Sequence, residues 1–262
     1  MSATEKASNN KLNTFFKVVG FLSTLGGLLD TIVESINSGK FSFKIIALVG
    51  IVMGIILLFF SNSELRYSIK KRLLFYCRIS DPYWIKSKEV RYIYISRNEM
   101  AHKKKYTLIS KVNQLNEITD KFKWSATTKI EDLKLSHGDD AINHSICREE
   151  NWTAYKLEFP QTGKHQERTV SFLIENLIDQ NNEALPFLST NITIKTKEVK
   201  LTVEFRDSTL VPKNIRYLIY DNYASLFPIF QKTIEYNSDD HKIEYLEKFP
   251  IYGYRYVIKW DF

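Results

Sequence analysis

FSFKIIALVGIVMGIILLFF, residues 41–60, is the longest apolar run of this 262-residue chain, and its reading decides the fold class. About 20 helical residues at 1.5 Å each cover a hydrocarbon core of roughly 30 Å. Its one formal charge, Lys44, lies close enough to an end to snorkel to headgroups. The run predicts a membrane-spanning helix.

Residues 14–37, TFFKVVGFLSTLGGLLDTIVESIN, predict a second helix of different character. Gly20, Ser23, Gly27, Asp30 and Glu34 share one face at 3-4-3-4 spacing, opposite Val19, Leu22, Leu25, Leu29 and Ile32. Small residues let helices approach closely in a membrane, and carboxylates at membrane depth face a bundle interior or a water-filled path. Asp30 and Glu34 fit the far interface equally well, and the segment also fits an amphipathic helix lying in the interface. The short loop 38–40 joins both helices into a hairpin, with Gly50 and Gly54 as a GxxxG packing pair.

The net charge of +7 is uneven. Residues 61–94 hold eight Lys and Arg against three acids, whereas 95–262 are balanced at 24 against 24. A basic excess beside an apolar run fits anionic lipid better than duplex nucleic acid. Arg66, Lys70, Lys71, Arg72 and Arg78 after residues 41–60, with Lys6 and Lys11 near the start, place both termini in the cytoplasm by the positive-inside rule. Residues 64–79 continue as a helix. Cys77 and Cys147 form neither a disulfide framework nor a zinc pattern.

From residue 91 the period becomes two. RYIYIS (91–96), YTLIS (106–110), WTAYKLEF (152–159), TVSFLI (169–174), NITIK (191–195), VKLTVEF (199–205), IRYLIY (215–220), TIEY (233–236), KIEY (242–245) and YGYRYVIKW (252–260) all read as strands. Residues 113–123 are ambiguous and fit a short helix. The fold class expected is a membrane α-helical hairpin of two transmembrane helices plus an all-β C-terminal soluble domain, an antiparallel sandwich or barrel. Its divisions are a polar tail (1–13), the hairpin (14–60), a basic helical connector (61–90) and the β domain (91–262).

No phosphate loop, GxGxxG, HExxH or GxSxG is present, and the five His are scattered. The β domain therefore reads as a binder, with no enzyme activity, metal or cofactor expected. Arg148, Trp152, Arg206, Arg216 and Tyr217 combine guanidinium forks with π faces, which suit phosphates and bases. The run Lys103-Lys104-Lys105 offers phosphate contacts too, although such a run is usually a solvated loop.

A two-helix hairpin over residues 15–37 and 41–60, a basic connector and strands from Arg91 onward resemble the SMODS-associated two-transmembrane β-strand-rich effectors of bacterial anti-phage defence. The resemblance implies a homo-oligomeric effector of the bacterial inner membrane. Its β domain would sense a cyclic or linear oligonucleotide made by a nucleotidyltransferase, and its hairpins would form a pore or disrupt the lipid bilayer. The competing expectation is a membrane-anchored scaffold whose β domain binds a protein partner.

Overall fold

A computed structural model describes residues 50, 54, 67–69, 71, 81–122, 133–149, 152–179 and 185–262, excluding the side chains of 147–149 and 152. The chain divides into two compact units, Met1–Asn62 and Ser63–Phe262. In the first unit the described residues are Gly50 and Gly54, both helical.

The second unit is built of strands. Among the described residues there are fourteen: β1 (Tyr83–Tyr94), β2 (Glu99–Ser110), β3 (Leu115–Phe122), β4 (Lys134–Asp139), β5 (Asn143–Glu149), β6 (Trp152–Thr162), β7 (Glu167–Ile178), β8 (Phe187–Asn191), β9 (Glu198–Phe205), β10 (Lys213–Tyr220), β11 (Phe230–Thr233), β12 (Tyr236–Asn237), β13 (Lys242–Lys248) and β14 (Arg255–Asp261). They form a seven-stranded sheet in the order β12-β13-β9-β1-β2-β7-β4, a four-stranded sheet β11-β10-β14-β8 and a three-stranded sheet β3-β6-β5.

The sheets bury an aromatic and β-branched core that includes Val90, Leu108, Leu157, Val170, Phe172, Val203, Tyr256 and Trp260. Side chains of alternate residues reach it, as the period of two requires. Two irregularities change that alternation. Tyr83 and Ile85 point inward, but a register shift between Ile85 and Ser87 moves the buried set to Lys88, Val90 and Tyr94. One extra residue in a strand inverts the facing of all that follow. In β7, Asn176 takes a left-handed φ of 60°, and the buried set passes from Val170, Phe172 and Ile174 to Leu177. Asn is among the non-glycine residues that best tolerate that region.

Several sequence expectations are corrected here. Among the described residues no helix is long and apolar enough to cross a membrane. A span needs a continuous helix of about 20 residues, and of residues 14–60 only Gly50 and Gly54 are among the described ones. The two-helix transmembrane hairpin is thus not part of the observed fold. With it go the pore, the ion channel, the membrane effector, the membrane-anchored scaffold and the multi-pass inner-membrane placement. Gly20, Ser23, Gly27, Asp30 and Glu34 lie outside the described residues. A Cβ placed on Gly50 or Gly54 would meet nothing within 4 Å, so no close packing occupies either among the described residues.

The β region also differs in detail from its expectation. It begins at Tyr83, inside the segment expected as a helical connector, and the sheet is mixed because β1 pairs in parallel with β9. Residues 115–122 form a strand, although the buried Leu115, Ile118 and Phe122 are spaced as on a helix. A register shift between Leu115 and Glu117 creates that spacing. The last strand starts at Arg255, three residues after the expected position, because Ile251–Tyr254 close a turn with Gly253 at φ 80°. Positive φ at the third turn position is where glycine is needed.

Candidate ligand-binding cavity

A cavity of about 740 Å³ opens where the three sheets meet. Its wall is made by Tyr92 and Tyr94 of β1, Met100, His102 and Lys104 of β2, and Thr119–Phe122 of β3. β8 adds Phe187 and Ser189–Asn191, β14 adds Arg255, and Leu185, Thr193 and Tyr223 come from connecting segments.

Strand alternation explains why cations lie in this wall. Met100, His102, Lys104, Tyr106 and Leu108 of β2 are all buried on the inner face. Lys105 points the other way, toward Asp139 at 2.9 Å. The three-lysine run is therefore split by the pleat, and only its central member enters the interior. The shifted parity of β1 brings in Lys88 by the same logic.

Both ammonium groups converge on Asp120 of β3. Oδ2 of Asp120 lies 3.1 Å from Lys104 Nζ and 3.2 Å from Lys88 Nζ. It also accepts the Tyr106 hydroxyl and lies 3.5 Å from the Tyr155 hydroxyl. Oδ1 accepts the Lys121 N–H at 2.8 Å. Lys104 Nζ further donates to the Lys121 carbonyl at 2.7 Å.

Burial alone would raise the Asp120 carboxyl. The ammoniums of Lys104 and Lys88, the Tyr106 hydroxyl and the Lys121 N–H override it and hold the group well below the usual carboxylate range. Lys104 moves down to about 8, because burial and the like charge of Lys88 outweigh the pull of Asp120. His102 falls well below its ordinary range through burial and the charge of Lys104, so it is neutral at pH 7. Burial and Asp120 push the Tyr106 and Tyr155 hydroxyls well up, leaving both protonated.

The electrostatic balance is positive. Lys104, Lys121 and Arg255 line the cavity, Lys88 stands behind it, and Asp120 is the one carboxylate among the described lining residues. Two buried nitrogens of lining residues, His102 Nε2 and Arg255 Nε, have no hydrogen-bond partner among the described residues. Buried polar groups without partners cost stability, which a bound group or water restores. The Arg255 guanidinium lies over Tyr220 at 4.3 Å and near Tyr223 at 5.6 Å, with Nη2 donating to the Ser225 carbonyl at 3.2 Å. Tyr92 meets His102 edge-on at 4.8 Å, and Tyr94 stacks on Phe205 at 5.3 Å.

Of the residues nominated from sequence, three have described side chains. Arg206 is exposed and bonded to Glu204. Arg216 sits on β10 with a buried Nε lacking a partner among the described residues. Tyr217 is fully buried, stacks on Tyr245 at 3.9 Å and donates to Glu247 at 2.9 Å. Arg148 and Trp152 have backbones in β5 and β6, while their side chains lie outside the described residues. Among the described side chains, Arg206, Arg216 and Tyr217 do not line the cavity. The lysine run 103–105 lies within β2 instead of a solvated loop, and Asp120 lies in the stretch 113–123 whose spacing was ambiguous.

No family model and no curated protein matches the chain. Among solved structures, a two-domain M1 zinc metallopeptidase E323A mutant bound to L-tryptophan is 8% identical. It covers 69% of this chain and 43% of its own, at a TM-score of 0.35. A putative protease from Parabacteroides distasonis is 8% identical over 69% of this chain and 36% of its own, at 0.38. An M1 zinc metallopeptidase from Deinococcus radiodurans is 8% identical over 69% and 43%, at 0.36. The chain thus spans less than half the length of these structures, and likeness at this level carries no functional argument.

Proposed function

We propose that the β unit is a ligand-binding module whose cavity takes a small anionic ligand carrying a planar ring. The oligonucleotide signals expected from the sequence fall within this class. The observation that carries the reading is the excess of buried or cavity-lining cations over the single carboxylate Asp120, in a wall that also presents Tyr92, Tyr94 and Phe122. An anion balances that excess and supplies acceptors to Lys104 and Arg255. Aromatic faces take a planar ring without needing to read its edge. A volume of about 740 Å³ lies within the range that holds drug-sized and nucleotide-sized ligands.

The test is thermal unfolding of the full chain with mononucleotides, cyclic dinucleotides, the uncharged nucleoside adenosine and inorganic phosphate. A ligand at 100 times its Kd adds about 2.7 kcal/mol to apparent stability. At this size that is a rise of roughly 5–10 °C in Tm. Nucleotides should raise Tm, with adenosine and phosphate each doing less. Lys104→Met and Arg255→Gln should each cut the shift. Equal shifts in wild type and both variants, or no shift with any anionic ring compound, would overturn the reading.

A further inference from the structure

His137 on β4 and His144 on β5 are seven residues apart, across the turn that leads from the seven-stranded to the three-stranded sheet. Their Nδ1 atoms share a hydrogen bond of 2.9 Å, one ring donating and the other accepting, so a metal ion would take the place of the shared proton. His137 is exposed, and His144 is partly covered, with its ring 5.6 Å from that of Phe172.

We propose that this pair is a bidentate site for a late divalent transition metal, with copper(II) and nickel(II) preferred over zinc. The preference follows from the spacing. For metal–nitrogen bonds of about 2.0–2.1 Å, a 2.9 Å separation of the two nitrogens corresponds to a bite angle of roughly 90°. That is the cis angle of square-planar and octahedral ions. A tetrahedral zinc needs its nitrogens about 3.3 Å apart, so the two rings would have to turn away from each other. Copper(II) also binds nitrogen donors most strongly of the first-row divalent ions. Among the described residues no third His, Cys, Asp or Glu completes a cluster, so solvent fills the remaining positions. The metal would tie β4, an edge strand of its sheet, to β5. Behind the pair, Phe172 stacks at 4.3 Å on Tyr155, whose hydroxyl contacts the Asp120 group.

The full chain, stripped with chelator, is titrated with copper(II), nickel(II) and zinc(II) chlorides by calorimetry. Copper(II) binding is also followed by paramagnetic resonance. One equivalent of copper(II) should bind with a two-imidazole signature, nickel(II) should outbind zinc(II), and His137→Ala or His144→Ala should weaken copper(II) by about tenfold or more. His165→Ala, at an exposed histidine of the β6–β7 connection, should leave binding intact. The proposal fails if the variants at 137 and 144 bind as wild type does, if His165→Ala removes the signal, or if zinc(II) binds more tightly than nickel(II). Circular dichroism of each variant separates loss of a ligand from loss of fold.

Discussion

Two carboxylates of the same unit, Glu247 buried and Asp120 partly buried, have partners of the same kinds in different surroundings. Asp120 holds Lys88, Lys104 and Tyr106 at the wall of the cavity. Glu247 holds Lys71 at 2.7 Å and the Tyr217 hydroxyl at 2.9 Å, with no share in the cavity. Beside Glu247, the Tyr67 and Tyr256 hydroxyls meet at 3.0 Å, and Tyr67 stacks on Phe230 at 5.9 Å. The Glu247 group is balanced, one ammonium to one carboxylate, and closed by rings. The Asp120 group carries two ammoniums for one carboxylate and borders empty volume. Charge balance and access, not residue type, separate the closed Glu247 group from the Asp120 group at the cavity.

The largest test of that contrast is removal of each carboxylate. Asp120→Asn leaves two buried ammoniums without their counter-charge and should cost about 3–5 kcal/mol of stability. Glu247→Gln leaves only Lys71, whose side chain is 19% exposed and turns to water. It should cost about 1.5–3 kcal/mol, the worth of hydrogen bonds to a charged group. Urea unfolding measures both, and equal losses would break the distinction.

Acidity separates the groups next. Lys104 has its folded value near 8, down from 10.5. Below pH 8 it is charged; above, it loses the proton, and affinity for the anionic ring compound proposed as ligand should fall by up to about tenfold per pH unit, or 1.4 kcal/mol. The same depression has the opposite sign for folding. Between pH 8 and 10.5 the unfolded chain binds the proton more tightly, so the contribution of Lys104 to stability rises with pH. Affinity measured from pH 7 to 9 in wild type and Lys104→Met decides it, since the variant should show no such fall.

The smallest effect belongs to the closed Glu247 group. Tyr217→Phe removes one buried hydroxyl and should cost about 1 kcal/mol by urea unfolding. It should leave the ligand-induced rise in Tm as in wild type. A change in that rise would mean that the two carboxylate groups are coupled.

Much of the β architecture was legible in the residues. Alternation in 199–205 and 215–220 marked β9 and β10 because each strand keeps one regular face to the core. Legibility ended where a bulge broke the period. The shift after Ile85 turned Lys88 inward, and the shift at the start of β3 gave a strand helical spacing and hid Asp120. The cavity itself was not legible, since β1, β2, β3, β8 and β14 meet there from sequence positions far apart. Likewise the five His looked scattered, and only the turn between β4 and β5 brings two of them together.

The sequence by itself determined that residues from 91 onward favour strands. Propensity and period are local properties, carried by neighbouring residues. Only the tertiary structure decided which face of each strand is inside, that β1 lies parallel to β9, and that Lys104 shares Asp120 with Lys88. Those outcomes depend on pairing between distant strands, and a single added residue in one of them exchanges core for solvent.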